Sequence, residues 1–402
     1  MKFNAWTVGL MGAGLVSLPA VIHAEEKPSS LLTALTATTI SGYVDTSAQW
    51  NMGTGNANVP NYAFGGPGKA DGFNLNVVKL SIEKPVDSAD AWGAGYKVDL
   101  LFGPDANALA TQSSGVAGDF GVKQAYVALH APIGNGLDFK LGVWDTIIGY
   151  EVFESVNNPN VTRSYGYTVE PTTHTGLQAA YQFCESFSAT VGIANTYGPT
   201  INGRAFLFGG TSAAGGQGPK AESYKTYMAS MTFTAPTNWG TLGGSTLSAC
   251  VINGFNSASP SGAADQTSVY VGATVNTPVT GLKVGAAYDW ANVSGQPLTA
   301  DVANHANVVG LYASYQLTEK LSIYGRGEYA WSTVPAPSTF LAKKVIEGTF
   351  TVQYDLWKNV MSRLEFRWDH AADDTDVYGG STPGVGDKSN SYMLLANLAY
   401  KF

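Results

Sequence analysis

The chain has 402 residues, of which 45% are hydrophobic, 12% aromatic and only 13% charged, with a net charge of −8 at pH 7. So few charges exclude a protein solvated on every face, and the acidic balance excludes a general nucleic-acid binder. Length alone does not demand several domains, because one large closed sheet can absorb the whole chain.

The first residues read as an export signal. Lys2 gives a positive start, Ala5 to Val21 is apolar and uncharged, and Val21-Ile22-His23-Ala24 precedes Glu25. This layout places cleavage after Ala24. Ile22 is larger than the small residue preferred three places before the cut. The expected organisation is a signal peptide over 1–24, a periplasmic N-terminal segment over 25–37 and a β-barrel over 38–402. No later charge-free apolar stretch approaches 20 residues, so no transmembrane helix is expected.

From Thr38 onward the pattern has period two. In Met361 to His370, Leu364, Phe366 and Trp368 share one face, and Arg363, Glu365, Arg367 and Asp369 share the other. Four charges on one strand face cannot enter a packed apolar core without heavy desolvation. They suit the water-filled interior of a barrel whose apolar face meets lipid. The same reading gives strands at Thr38–Asn51, Gly72–Val86, Trp92–Gly103, Phe120–Ile133, Leu137–Ile147, Thr173–Cys184, Phe187–Tyr197 and Ser223–Pro236. It continues with Ser245–Asn256, Gln266–Pro278, Leu282–Val293, His305–Thr318, Leu321–Ser332, Phe340–Trp357, Val360–Ala372 and Ser389–Phe402. The expected fold is all-β, a transmembrane antiparallel barrel of about 16 strands. In the second strand the alternation changes phase near Val77-Val78, which calls for a bulge.

Connections alternate in length. Short turns such as Gly134–Gly136, Glu185–Ser186 and Lys358–Asn359 interleave with long segments such as Met52–Asp71, Ile148–Thr172 and Asp373–Lys388. Bacterial barrels show this asymmetry between periplasmic turns and outer loops. Strands descending to the short turns end in outward pairs: Tyr181/Phe183, Tyr315/Leu317, Tyr354/Leu356 and Tyr400/Phe402. Rising strands carry Trp50, Trp144, Trp290, Trp331 and Trp368 near their tops, with Trp144 facing inward. Two aromatic belts bracketing an apolar band fit the two membrane interfaces.

Little suggests covalent chemistry. Cys184 and Cys250 fall three strands apart, too far for a disulfide when strands are about 4.8 Å apart. No Cys/His cluster points to a metal, and no Gly-x-Ser-x-Gly elbow accompanies His130, His174, His305 or His370. No enzyme is expected, and His174 reads as a hydrogen-bonding residue at the end of its loop.

The segment Asn158-Pro-Asn-Val-Thr-Arg163-Ser-Tyr165-Gly-Tyr167-Thr-Val-Glu170-Pro171-Thr-Thr-His174-Thr-Gly176 resembles the β-barrel porin-2 (OmpL-like) family, as do Gly42-Tyr43-Val44-Asp45 and the order of strands and loops. The resemblance implies an outer-membrane porin that passes small hydrophilic solutes or ions passively, with no cofactor and no known substrate. The last strand, ending in Tyr400 and Phe402, resembles the assembly signal of outer-membrane proteins read by the barrel-assembly machinery. Outer-membrane lipid and further copies of the chain complete the expected partners, with no nucleic acid among them. Two other readings stay open: an adhesin or structural barrel with a plugged lumen, and an outer-membrane hydrolase.

On the porin reading, inward alternation nominates Asp45, Lys79, Glu83, Lys97, Asp99, Lys140, Arg326, Glu328, Glu347, Arg363, Glu365, Arg367 and Asp369 as the pore lining, joined by Asp138, Lys283 and Asp289. Mixed signs would set a transverse field or bridge the wall. In the general porins, which this layout resembles, the third long loop enters the lumen. Here that loop supplies Glu151, Glu154, Arg163, Tyr165, Tyr167 and Glu170. Three carboxylates against one guanidinium suggest a weak cation preference.

Overall fold

A computed structural model describes residues 37–53, 55–86, 92–113, 118–205, 224–255, 265–293, 304–333 and 340–402. The signal peptide and nearly all of segment 25–37 lie outside them. Sixteen strands form one closed antiparallel barrel. They are β1 (Thr39–Asn51), β2 (Gly72–Lys84), β3 (Gly93–Phe102), β4 (Phe120–Ala131), β5 (Leu137–Asp145), β6 (Thr173–Cys184), β7 (Phe187–Ala194) and β8 (Thr226–Thr234). The circuit continues with β9 (Thr246–Phe255), β10 (Asp265–Asn276), β11 (Leu282–Val293), β12 (Asn304–Gln316), β13 (Leu321–Ser332), β14 (Lys344–Trp357), β15 (Val360–Ala371) and β16 (Asn390–Lys401). Each strand pairs with its sequence neighbours, and β1 closes on β16 from Tyr43↔Lys401 to Asn51↔Met393. Closure removes both sheet edges, so every strand has a partner on each side.

The alternation read from the sequence is the alternation of the wall. Along β15, Leu364 is 51% exposed on the outer surface, while Glu365 beside it is 0% exposed. Outward Phe183, Leu317, Tyr354, Tyr400 and Phe402 are likewise exposed, and Trp144 is fully buried inside. The strand extents differ from expectation only at their ends, most at β14, which starts at Lys344 rather than Phe340.

Two bulges inside the wall modify the alternation, besides register shifts at the turn ends of the β6–β7 and β14–β15 pairs. In β2, Asp45 pairs with Val77 and Thr46 with Leu75, leaving Asn76 as the extra residue. This lies one position before the phase change expected at Val77-Val78. In β4, Asp99 pairs with Gln124 and Leu100 with Val122, so Lys123 is extra. Each bulge turns two consecutive residues inward: Asn76 with Val77, and Lys123 with Gln124, all buried.

Loops are numbered L1 to L8 in chain order at the long-loop end, among them L1 (52–71), L2 (103–119), L3 (146–172) and L8 (372–389). L2 contains a short helix, α1 (Pro104–Leu109), and L3 a second, α2 (Tyr165–Val169). No helix among the described residues is long and apolar enough to cross a membrane. Both cysteines are free, Cys184 exposed and Cys250 buried.

Candidate functional site

The interior is built around L3, residues 146–172. Its neck is closed by the Thr146 amide donating to the Thr172 carbonyl at 2.9 Å. His174, fully buried, meets the Thr146 hydroxyl at 3.2 Å. From this neck the loop folds into the barrel and runs along much of its inner wall. Tyr150 stacks on Tyr312 of β12, with ring centres 4.0 Å apart. Glu154 reaches β2 and β4, Ser155 and Val156 reach β1, β15 and β16, and α2 packs on β11, β12 and β13.

Wall carboxylates hold the loop by its backbone. Glu365 accepts from the Val161 amide (2.5 Å), the Thr162 amide (2.9 Å), the Thr162 hydroxyl (2.7 Å) and the Thr351 hydroxyl (2.7 Å). Glu328 accepts from the Tyr165 amide at 2.8 Å and the Gly166 amide at 3.1 Å. These bonds satisfy amides that a regular element would have paired. A Cβ at Gly166 would lie 2.6 Å from an Asp289 carboxylate oxygen, so a larger residue there would displace that side chain. Ser164 caps α2 by accepting from the Tyr167 amide at 2.9 Å.

Wall arginines hold the loop's carbonyls and acids. Arg326 bridges Glu151 of the loop (2.8 Å) to Glu347 of the wall (3.0 Å) and donates to the Thr162 carbonyl at 2.7 Å. Arg367 pairs with Asp369 at 2.9 Å and donates to the Arg163 carbonyl at 2.8 Å. Arg363 donates to the Ser155 carbonyl at 2.7 Å and to Asn397 at 2.9 Å. On the other flank, Glu154 sits between Lys79 (2.5 Å) and Lys123 (3.0 Å), while Lys123 also pairs with Asp145 and Lys79 with Asp99. Asp45 accepts from Asn76, Asn397 and Ser155.

These contacts revise the expected surroundings of the nominated residues. Asp45, Asp99, Arg326, Glu328, Glu347, Arg363, Glu365, Arg367 and Asp369 face inward but are each under 5% exposed. They meet partners in the wall and the loops, not open water. Lys79, Glu83, Lys97 and Lys140 are less enclosed. Lys97 pairs with Glu83 at 3.1 Å, and Lys140 lies over the Tyr126 ring. Lys283 is exposed and Asp138 partly so.

The three L3 carboxylates behind the expected cation preference do not stand free. Glu151 is bonded to Arg326 and to the Ser164 amide. Burial pushes the Glu154 carboxyl up, but Lys123 and Lys79 outweigh it and hold the group below the ordinary carboxylate range. Glu154 is thus ionised yet fully countered. Glu170 is held well above that range by burial and by the neighbouring Asp289 carboxylate, which disfavours its charged form. None of the three presents a free negative charge.

Several contributors escaped the sequence reading. Lys123 sits beside Gln124, and two adjacent polar residues inside an alternating strand are the signature its bulge left. Tyr62 and Phe64 of L1 descend onto the arginines: Tyr62 lies over Arg367 and Phe64 over Arg163. L8 supports L1 through the Asn58 amide, which donates to the carbonyls of Gly379, Thr382 and Val385. The interior is also lopsided. The wall from β8 to β12 carries Met228, Cys250, Ile252, Tyr270, Ala287 and Tyr312, packed with Ile148 and Tyr197.

Residues 37–402 match the family described as Putative beta-barrel porin-2, OmpL-like. No curated protein matches the chain. Among solved structures, an anion-selective porin from Comamonas acidovorans is similar at 13% identity and a TM-score of 0.60, covering 91% of this chain and 99% of that one. OmpF of Salmonella typhi, in complex with daunomycin, is similar at 13% identity and 0.56, covering 91% and 97%. OmpT of Vibrio cholerae, in a trimer form, is similar at 12% identity and 0.52, covering 91% and 99%. At these identities the likeness is one of fold.

Proposed function

The chain belongs to the Putative beta-barrel porin-2, OmpL-like family and is a porin-like channel of the outer membrane, and we propose that it passes small hydrophilic solutes or ions passively through an opening whose size L3 sets. The observation that carries this reading is the seating of L3 inside the barrel by Glu365, Glu328 and Arg326. A loop fixed by buried charge pairs holds one shape, because breaking one pair strands a charge in a low-dielectric site. The nominated residues then divide into two roles. Asp45, Glu328, Glu347, Glu365, Arg326, Arg363 and Arg367 position the loop, while Glu83, Lys97 and Lys140 border the space left open to solute.

The test is conductance of the folded barrel in a planar bilayer, with uptake of graded neutral sugars into liposomes. Discrete steps and a low size limit are expected. A correctly folded, inserted barrel without steps or uptake would favour a second reading, a structural or adhesive barrel with a plugged lumen. The number of strands that L3 touches is the observation in its favour.

Lipid and small solutes are the partners of such a channel. We further propose that the barrel-assembly machinery reads the strand ending at Tyr400 and Phe402, and that copies of the chain associate, as the trimer form of OmpT illustrates for that protein. Processing after Ala24 belongs to the same reading, and N-terminal sequencing of membrane-inserted protein should begin at Glu25.

A further inference from the structure

Between L1, L2, L3 and the wall of β1, β2 and β16 lies a cavity of about 40 Å³, bordered by Asp45, Gln49, Tyr62, Lys69, Asp105 and Arg163 among others. One water needs roughly 10–15 Å³ measured in this way, so the space takes a small ion with a water, or two to three waters. Its charged groups are not equally committed. Asp45 accepts from Asn76 at 3.0 Å, from Asn397 at 2.6 Å and from the Ser155 hydroxyl. Asp105 pairs with Lys69 at 2.6 Å. Arg363, beside the cavity wall, donates to Ser155 and Asn397.

Arg163 differs from all of these. It is 4% exposed and pairs with no carboxylate among the described residues. Two of its nitrogens donate to the carbonyls of Val161 and Phe153. Phe64 and Tyr167 lie near its guanidinium, at 5.4 and 5.8 Å from their ring centres. Its Nε is buried and has no hydrogen-bond partner. A guanidinium does not lose its proton, so burial leaves a permanent charge with its Nε donor unused.

We propose that this cavity is a binding site for a small inorganic anion, chloride first, held by the unpaired donor and charge of Arg163. The anion would complete the guanidinium's hydrogen bonding and offset a charge that the protein leaves uncountered. The rings of Phe64 and Tyr62 bound the space on the L1 side and would favour a compact ion over a large organic one. Asp105 does not compete strongly, since Lys69 engages it at 2.6 Å. The site deepens the channel reading by naming small anions as its preferred solutes, and that consequence alone rests on the channel conducting.

Two measurements on the intact folded barrel test this. Chloride NMR line width in detergent should broaden with wild-type protein, lose that increment in Arg163→Gln and regain part of it in Arg163→Lys. Lys69→Met, which leaves Arg163 in place but frees Asp105 beside the cavity, should weaken the broadening and guards against a misfolded loop in the first variant. Heat-modified gel mobility reports the fold of each. Reversal potentials in a potassium chloride gradient should lie further toward chloride in wild type than in Arg163→Gln. No broadening by wild type beyond that of Arg163→Gln means water alone fills the cavity and overturns the site. Broadening without any current keeps the site and defeats the channel reading. Current with equal reversal potentials in both proteins overturns the preference for anions.

Discussion

The guanidinium of Arg367 lies 3.9 Å from the ring centre of Tyr62, so a wall residue of β15 is covered by the first loop as well as the third. Tyr165 of L3 lies 5.1 Å from the same guanidinium and donates its hydroxyl to Asp369 at 2.7 Å. Tyr62 and Phe64 thus match Tyr165 and Tyr167: each loop offers two rings two residues apart, and each pair addresses Arg367 and Arg163. Desolvated cation–π contacts contribute about 2 kcal/mol. Tyr62→Ala should therefore loosen L1 over L3, raising single-channel conductance and protease cleavage in L1, with Tyr62→Phe close to wild type. Wild-type conductance in Tyr62→Ala would show that L1 has no part in the opening.

The two faces of β15 make a paired prediction. Leu364→Arg places a charge against lipid, costing roughly 2–4 kcal/mol near the midplane, and should reduce the heat-modifiable folded fraction. Glu365→Gln keeps the barrel but not the loop. The amide retains one acceptor where the carboxylate served four donors, at a cost of about 1–3 kcal/mol for donors left unsatisfied. The folded fraction should stay near wild type while conductance rises and becomes noisier. Quiet, wild-type currents from Glu365→Gln would deny it the anchoring role.

Glu170 makes the seating of L3 depend on pH. Burial and Asp289 hold its carboxyl well above the ordinary value, so the folded state keeps a proton that the unfolded chain releases near pH 4.3. The native state then binds more protons than the unfolded one, and stability falls as pH rises from that value toward the folded pKa. Glu170→Gln should raise thermal stability in detergent at pH 8 and change it little at pH 4. An equal effect at both would assign the gain to something other than the proton.

At the closure seam, the amide of Phe402 donates to the Gly42 carbonyl at 3.0 Å and the Gly42 amide donates back at 3.0 Å. A Cβ on residue 42 would lie 2.1 Å from the Lys79 carbonyl oxygen and 2.7 Å from the Phe402 ring. Deleting Phe402 or replacing Gly42 by Val should leave more protein in the periplasm, protease-sensitive and not heat-modifiable. Normal outer-membrane levels of both would remove the seam and the terminal Phe from the assembly argument.

The sixteen strands, and which face of each turns outward, were legible in the residues alone. Those features follow from period-two patterning, and reversing it would put Leu364 and Phe366 inside and Arg363, Glu365 and Arg367 in hydrocarbon. The phase slip in β2 was also legible, to within one residue. The partners that the inward charges meet, and the β1–β16 seam, emerge only once the chain is packed. Glu365 reads the same in sequence whether it faces water or the Val161 and Thr162 amides, because those amides belong to every residue and leave no mark in composition. The neutralisation of Glu154 depends on Lys79 and Lys123 arriving from β2 and β4, one of them through a bulge that departs from the alternation. The unpaired charge of Arg163 depends on every nearby carboxylate being engaged elsewhere, a property of the packed interior that no spacing along the chain can encode.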